Sequence, residues 1–89
     1  MPSVRFTQNI QRHVTCPPRV VDGASVREVL EHYFETNPPV RGYVLDDQGA
    51  LRTHMAIFVD GQPVVDRHDL SDAVSTSGTI DVMQALSGG

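Results

Sequence analysis

The sequence predicts an α+β domain in which about five strands form one mixed sheet and one main helix packs on one face. Three observations predict it. Residues 25–36 carry a strongly amphipathic helical pattern, both ends of the chain alternate with the period of a strand, and Asp60-Gly61 marks a tight turn between two short apolar runs. With 89 residues the chain makes one domain, 1–89, ending in a short flexible tail over 85–89.

In chain order, Ser3 to Gln8 alternates, with Val4 and Phe6 on one side and Arg5 and Thr7 on the other. A second strand is expected over about Val14 to Val21, broken at Pro17-Pro18 and therefore at a sheet edge or a bulge. Asp22-Gly23 turns the chain. Ser25-Val26-Arg27-Glu28 reads as a capping box, and Val26, Val29, Leu30, Tyr33 and Phe34 recur on one helical stripe. Asn37-Pro38-Pro39 ends the helix, because proline disfavours helical backbone in the residue before it.

Gly42-Tyr43-Val44-Leu45 suggests a short strand closed by the turn Asp46-Asp47-Gln48-Gly49. Thr53 to Val59 is the next strand, and Gln62 to Val65 returns as its hairpin partner, kept short by Pro63. Asp66 to Ser77 reads as a polar loop around Leu70 and Val74, and Thr79 to Met83 as the last strand. The alternation assigns Val4, Phe6, Met55, Ile57, Val59, Ile80 and Val82 to the core beneath the helix. Arg5, Thr7, Ala56, Phe58, Asp81 and Met83 fall on the opposite face, which no remaining element covers. Phe58 and Met83, if adjacent there, make an apolar docking patch for a partner protein.

Composition removes several function classes. All seven cations are arginine, against eleven Asp and Glu, for a formal net charge of −4. Nucleic acid is not the expected partner, since phosphate binding needs concentrated positive charge. The lone Cys16 excludes an internal disulfide and a multi-cysteine zinc site. The start of the chain has no long apolar run, so a cytoplasmic protein without signal peptide or membrane contact is expected.

The sharpest functional signal is at the other end, Ala85-Leu86-Ser87-Gly88-Gly89. A terminal carboxylate is an anion at neutral pH and a poor electrophile. Adenylation by ATP would turn it into a mixed anhydride open to attack by a sulfur nucleophile. Glycines can enter a narrow channel in conformations closed to other residues. The product would be a thiocarboxylate at Gly89.

The strand–strand–helix–strand order, the Ser25–Phe34 helix, the run Ile57-Phe58-Val59-Asp60-Gly61 and the Ser87-Gly88-Gly89 ending together resemble the ubiquitin-like β-grasp sulfur carriers. That family includes the small subunit of molybdopterin synthase and the thiamine sulfur carrier. The resemblance runs over essentially the whole chain. It implies a β-grasp fold and activation at Gly89, with Gly88 beside it, by a ubiquitin-activating-type adenylating enzyme. It also implies a sulfurtransferase or other sulfur donor, and a downstream acceptor enzyme of the molybdopterin type or a related pathway. The chain would be a protein cosubstrate rather than an enzyme, with no cofactor of its own and with ATP and Mg on the activating partner. Phe58, Met83, Leu86 and Ser87 would meet that partner. The acceptor stays open, because related carriers also feed cysteine and other sulfur-containing metabolites.

A ubiquitin-like modifier conjugated through Gly89 would use the same tail, and a non-catalytic β-grasp interaction module would use none of it. Cys16 as a nucleophile is disfavoured by its place beside Pro17-Pro18 and by the lack of a glycine-rich oxyanion segment. His13, His32, His54 and His68 are scattered, and only Asp66-Arg67-His68-Asp69 clusters ligand types, so no metal site is expected.

Overall fold

The computed structural model describes residues 1–84. In chain order the elements are β1 (Ser3–Phe6), α1 (Gln8–Gln11), β2 (Arg19–Val20), α2 (Val26–Thr36), α3 (Pro38–Val44), β3 (Met55–Val59), β4 (Gln62–Pro63) and β5 (Thr79–Gln84). The five strands form one sheet in the order β2-β1-β5-β3-β4. β1 and β5, the two ends of the described chain, run parallel at its centre, and every other pairing is antiparallel. This is the mixed sheet of an α+β, ubiquitin-like β-grasp fold.

α2 forms because its signals agree. Ser25 takes extended backbone at the N-cap and its hydroxyl accepts from the Glu28 backbone N–H at 3.2 Å. The Glu28 carboxylate reaches back to the backbone N–H of Ala24 at 2.8 Å, one residue before the cap. Val26, Val29, Leu30, Tyr33 and Phe34 are all buried along the stripe that meets the sheet. From the sheet side Val4, Phe6, Met55, Ile57, Ile80 and Val82 close the same core, as the alternation predicts. Val59 packs against that core but is only partly buried, because it is the last residue of β3 before the turn.

The turn itself has φ of 51° at Asp60 and 84° at Gly61, the double left-handed geometry of a two-residue hairpin joining Val59 to Gln62. Asp60 also holds the start of β5: its N–H donates to Thr79 O and its carboxylate accepts from Thr79 N, both at 2.9 Å.

Several boundaries differ from the sequence reading. The first strand ends at Phe6, and Gln8 opens the one-turn helix α1, which buries Ile10. The expected strand over Val14 to Val21 shrinks to Arg19–Val20, since Pro17 and Pro18 have no N–H to give a ladder. That segment is pinned instead by the Tyr33 hydroxyl, which donates to Pro17 O at 2.7 Å and whose pKa is pushed up to about 12, chiefly by burial.

The expected strand Gly42 to Leu45 is helical: α3 runs from Pro38 and buries Val40 and Val44. Proline at the first helical positions is favourable, as its missing N–H has no partner there in any case. Asn37 thus ends one helix and begins the next, so Pro38-Pro39 is a stop and a start at once.

β3 begins at Met55 rather than Thr53, and β4 is only Gln62–Pro63. The loop over Asp66 to Ser77 is less polar inside than its sequence suggests, with Leu70 and Val74 both in the core. Leu70 adopts a φ of 55° to place its side chain there. Among the described residues no helix is long and apolar enough to cross a membrane.

Candidate functional site

The tail residues Leu86, Ser87, Gly88 and Gly89 lie outside the described residues. The site is therefore built from what carries the chain to that tail. β5 is the central strand, parallel to β1 and antiparallel to β3, and it delivers the chain to Gln84 opposite Met55. Pairing on both edges fixes its register, and the two faces of its last residues present different chemistry.

On the open face, Arg5, Asp81 and Phe58 stand in one row across β1, β5 and β3, while Met83 lies opposite Ala56 in the next. Phe58 and Met83 are thus diagonal neighbours on adjacent strands, roughly 7–8 Å apart in such a pair. Both are half-buried rather than freely exposed. Arg5 grips Asp81 through two parallel hydrogen bonds, Nε to Oδ1 at 2.7 Å and Nη2 to Oδ2 at 3.0 Å. The carboxylate holds the Arg5 guanidinium still more firmly protonated, through that hydrogen bond first and its charge second. Val20 on β2 shares this face and is more than half exposed.

On the helix side of the sheet the root of the tail borders a pocket of about 200 Å³ lined by Ile10, His13, Tyr43, His54, Met55 and Gln84. α1 supplies Ile10, α3 supplies Tyr43, and β3 and β5 supply Met55 and Gln84. The His13 and Tyr43 rings stack with centroids 6.3 Å apart, and the Tyr43 hydroxyl donates to His13 O at 3.4 Å. No local sequence signal marks this pocket. Its residues come from separate segments, and Tyr43 joins them from the helix over 38–44.

The other candidates have structural explanations. Cys16 is 2% exposed, and burial pushes its thiol pKa up, away from the thiolate a nucleophile needs. The Asp66 carboxylate accepts from the Ser71 hydroxyl at 2.5 Å and from the backbone N–H groups of His68 and Asp69 at 3.1 and 2.9 Å. These bonds, Ser71 first, hold its pKa down at about 2 and shape the loop that carries Leu70. Among the described residues no three His, Cys, Asp or Glu side chains are grouped to hold a metal ion.

No protein-family model matches the sequence, and no curated protein matches it in sequence. Solved structures do match over the whole length. A chain of the Amycolatopsis orientalis BexX/CysO complex superimposes with TM-score 0.83 at 17% identity, covering 100% of both chains. CysO from Mycobacterium tuberculosis gives 0.81 at 15% identity, over 97% of this chain and 100% of that one. Small archaeal modifier protein 1 (SAMP1) from Methanosarcina acetivorans gives 0.78 at 19% identity, over 99% and 95%. At these identities the likeness is one of fold, and it agrees with the ubiquitin-like β-grasp resemblance carried by the sequence.

Proposed function

We propose that this protein is a ubiquitin-like sulfur carrier whose Gly89 carboxylate is the cargo site. The observation that carries the reading is the β-grasp sheet together with its glycine motif: the central strand β5 leads into Ala85-Leu86-Ser87-Gly88-Gly89. Structural likeness to CysO and SAMP1 over nearly the whole chain supports it. A partner of the ubiquitin-activating type binds ATP and Mg. A Gly89 carboxylate oxygen attacks the α-phosphorus and pyrophosphate leaves. Hydrosulfide then attacks the carbonyl carbon, AMP departs with the C–O electron pair, the S–H proton passes to solvent, and the thiocarboxylate remains.

The chain's own residues dock and present rather than catalyse. Gly88 and Gly89 lack side chains, which suits a narrow channel. Leu86 and Ser87 lead into it, and Phe58 and Met83 on the open face meet the partner's surface. A downstream biosynthetic enzyme, of the molybdopterin type or related, accepts the sulfur. The likeness to a BexX/CysO complex supports recognition by a partner protein.

The test is intact-mass measurement after incubation with an activating enzyme, ATP, Mg and sulfide. One oxygen replaced by sulfur is expected, and deletion of Gly89 removes the change.

A second reading, conjugation of Gly89 to amines of other proteins, is favoured by the likeness to SAMP1. It shares the activation step and differs in the acceptor. Having no lysine, the chain offers no lysine side chain for self-linked chains. Isopeptide-linked adducts in cells carrying an epitope-marked chain distinguish this reading.

A further inference from the structure

The pocket beside Gln84 differs in charge from the molecule around it. The protein carries a net −4, yet none of its eleven acidic residues lines this pocket. Two arginines are tied to its walls instead. Arg67 Nη2 donates to Met55 O at 2.7 Å and to Arg52 O at 2.9 Å. Arg52 Nε donates to Gly42 O at 2.8 Å, next in the chain to Tyr43.

Among the described residues neither arginine is in a salt bridge, whereas Arg5, Arg27 and Arg41 each have a carboxylate partner. Asp66, which precedes Arg67, has its carboxylate engaged by Ser71 and the loop's own N–H groups. His13 and His54 are exposed at the rim, and Tyr43 is 44% exposed. At about 200 Å³ the cavity has room for one ring-sized apolar group, since a cavity of about 150 Å³ accepts benzene.

We infer that this end of the molecule docks an acidic segment of the protein partner that takes up the tail. One apolar or aromatic side chain of that segment fills the pocket against Ile10, Tyr43 and Met55. Carboxylates flanking it meet Arg52, Arg67 and the N–H donors of His13 and His54. The inference rests on the proposed carrier role in one respect, that a partner engages the chain where the tail leaves Gln84. An apolar anchor ringed by complementary charge is the usual division of labour at an interface: the plug supplies affinity, the charges supply selection and encounter rate.

The test uses the ¹⁵N-labelled full chain and two synthetic peptides with one central Phe, Asp-Glu-Phe-Asp-Glu and Arg-Lys-Phe-Lys-Arg. The acidic peptide is expected to shift the amides of Ile10, His13, Tyr43, His54, Met55 and Gln84. It should bind about tenfold more tightly than the basic one, and lose most of that margin when salt rises from about 50 mM to about 500 mM. Arg52→Glu with His54→Glu should erase the preference, and Tyr43→Ser should weaken binding of the acidic peptide at every salt concentration. Equal affinity for both peptides, shifts centred on Phe58 and Met83, or no shift at millimolar peptide overturns the inference. Deleting Gly89 leaves peptide binding intact while removing thiocarboxylation, so the two readings fail separately.

Discussion

The two faces of β5 differ in what covers them, and the difference separates residues that hold the fold from residues left open to solvent. Toward the helices, Ile80 and Val82 are wholly buried and join the core under α2. Toward the open face, Asp81 and Met83 are half-buried and stand beside Arg5 and Phe58, with none of the described helices above them. One strand thus anchors the fold with alternate residues and leaves the others uncovered for the docking proposed above, a consequence of the strand's period of two. Stability and partner binding should therefore separate, residue by residue, along six positions.

The largest effect tests the buried side. Ile80→Ala should cost about 2–5 kcal/mol of unfolding free energy, measured by denaturant titration, because it opens a cavity at the sheet centre. A cost as small as that of Met83→Gln would break the division. Next comes the turn into α2. At Gly23, with φ of 152°, an added Cβ would stand 2.7 Å from Val29 Cγ2 and 2.8 Å from Val29 N. Gly23→Ala should cost about 1–3 kcal/mol through overpacking, with no effect on partner binding beyond the loss of folded protein.

On the open side, Met83→Gln should change stability by less than about 1 kcal/mol yet raise the activating enzyme's KM roughly tenfold, the loss of one apolar anchor. An unchanged KM removes Met83 from the docking surface. Ser25→Ala should cost about 1 kcal/mol through loss of the N-cap, visible as a lower melting temperature with KM unaltered.

The smallest effect lies in the loop far along the chain. Asp66 has a folded pKa of about 2, below its ordinary carboxylate value, so its bonds stabilise the fold above about pH 4. That contribution fades as pH falls toward 2. The melting-temperature difference between wild type and Ser71→Ala should therefore shrink across that window. A difference that grows on acidification contradicts the assignment.

Much of this architecture is legible in the sequence, and the exceptions share a cause. α2 is legible because capping residue, apolar stripe and stop signal coincide, and the Val59-Asp60-Gly61-Gln62 hairpin because its turn demands residues that tolerate positive φ. α3 is not, because only Val40 and Val44 mark its buried side and Tyr43-Val44-Leu45 favours a strand in isolation. Its helicity is settled by packing. α1 and β2 are too short to carry a period at all.

The same gap hides half of the candidate site. The Gly88-Gly89 ending and the open-face pair are visible in sequence. The pocket of His13, Tyr43 and His54 depends on the α3 geometry that local preference conceals.

The most direct test of the central claim is the mass of the intact chain before and after treatment with a ubiquitin-activating-type enzyme, ATP, Mg and sulfide. One oxygen replaced by sulfur is expected, localised to Gly89 by fragmentation and absent when Gly89 is deleted. An unchanged mass, with the enzyme shown to form the Gly89 adenylate and the sulfide donor shown to be competent, contradicts it.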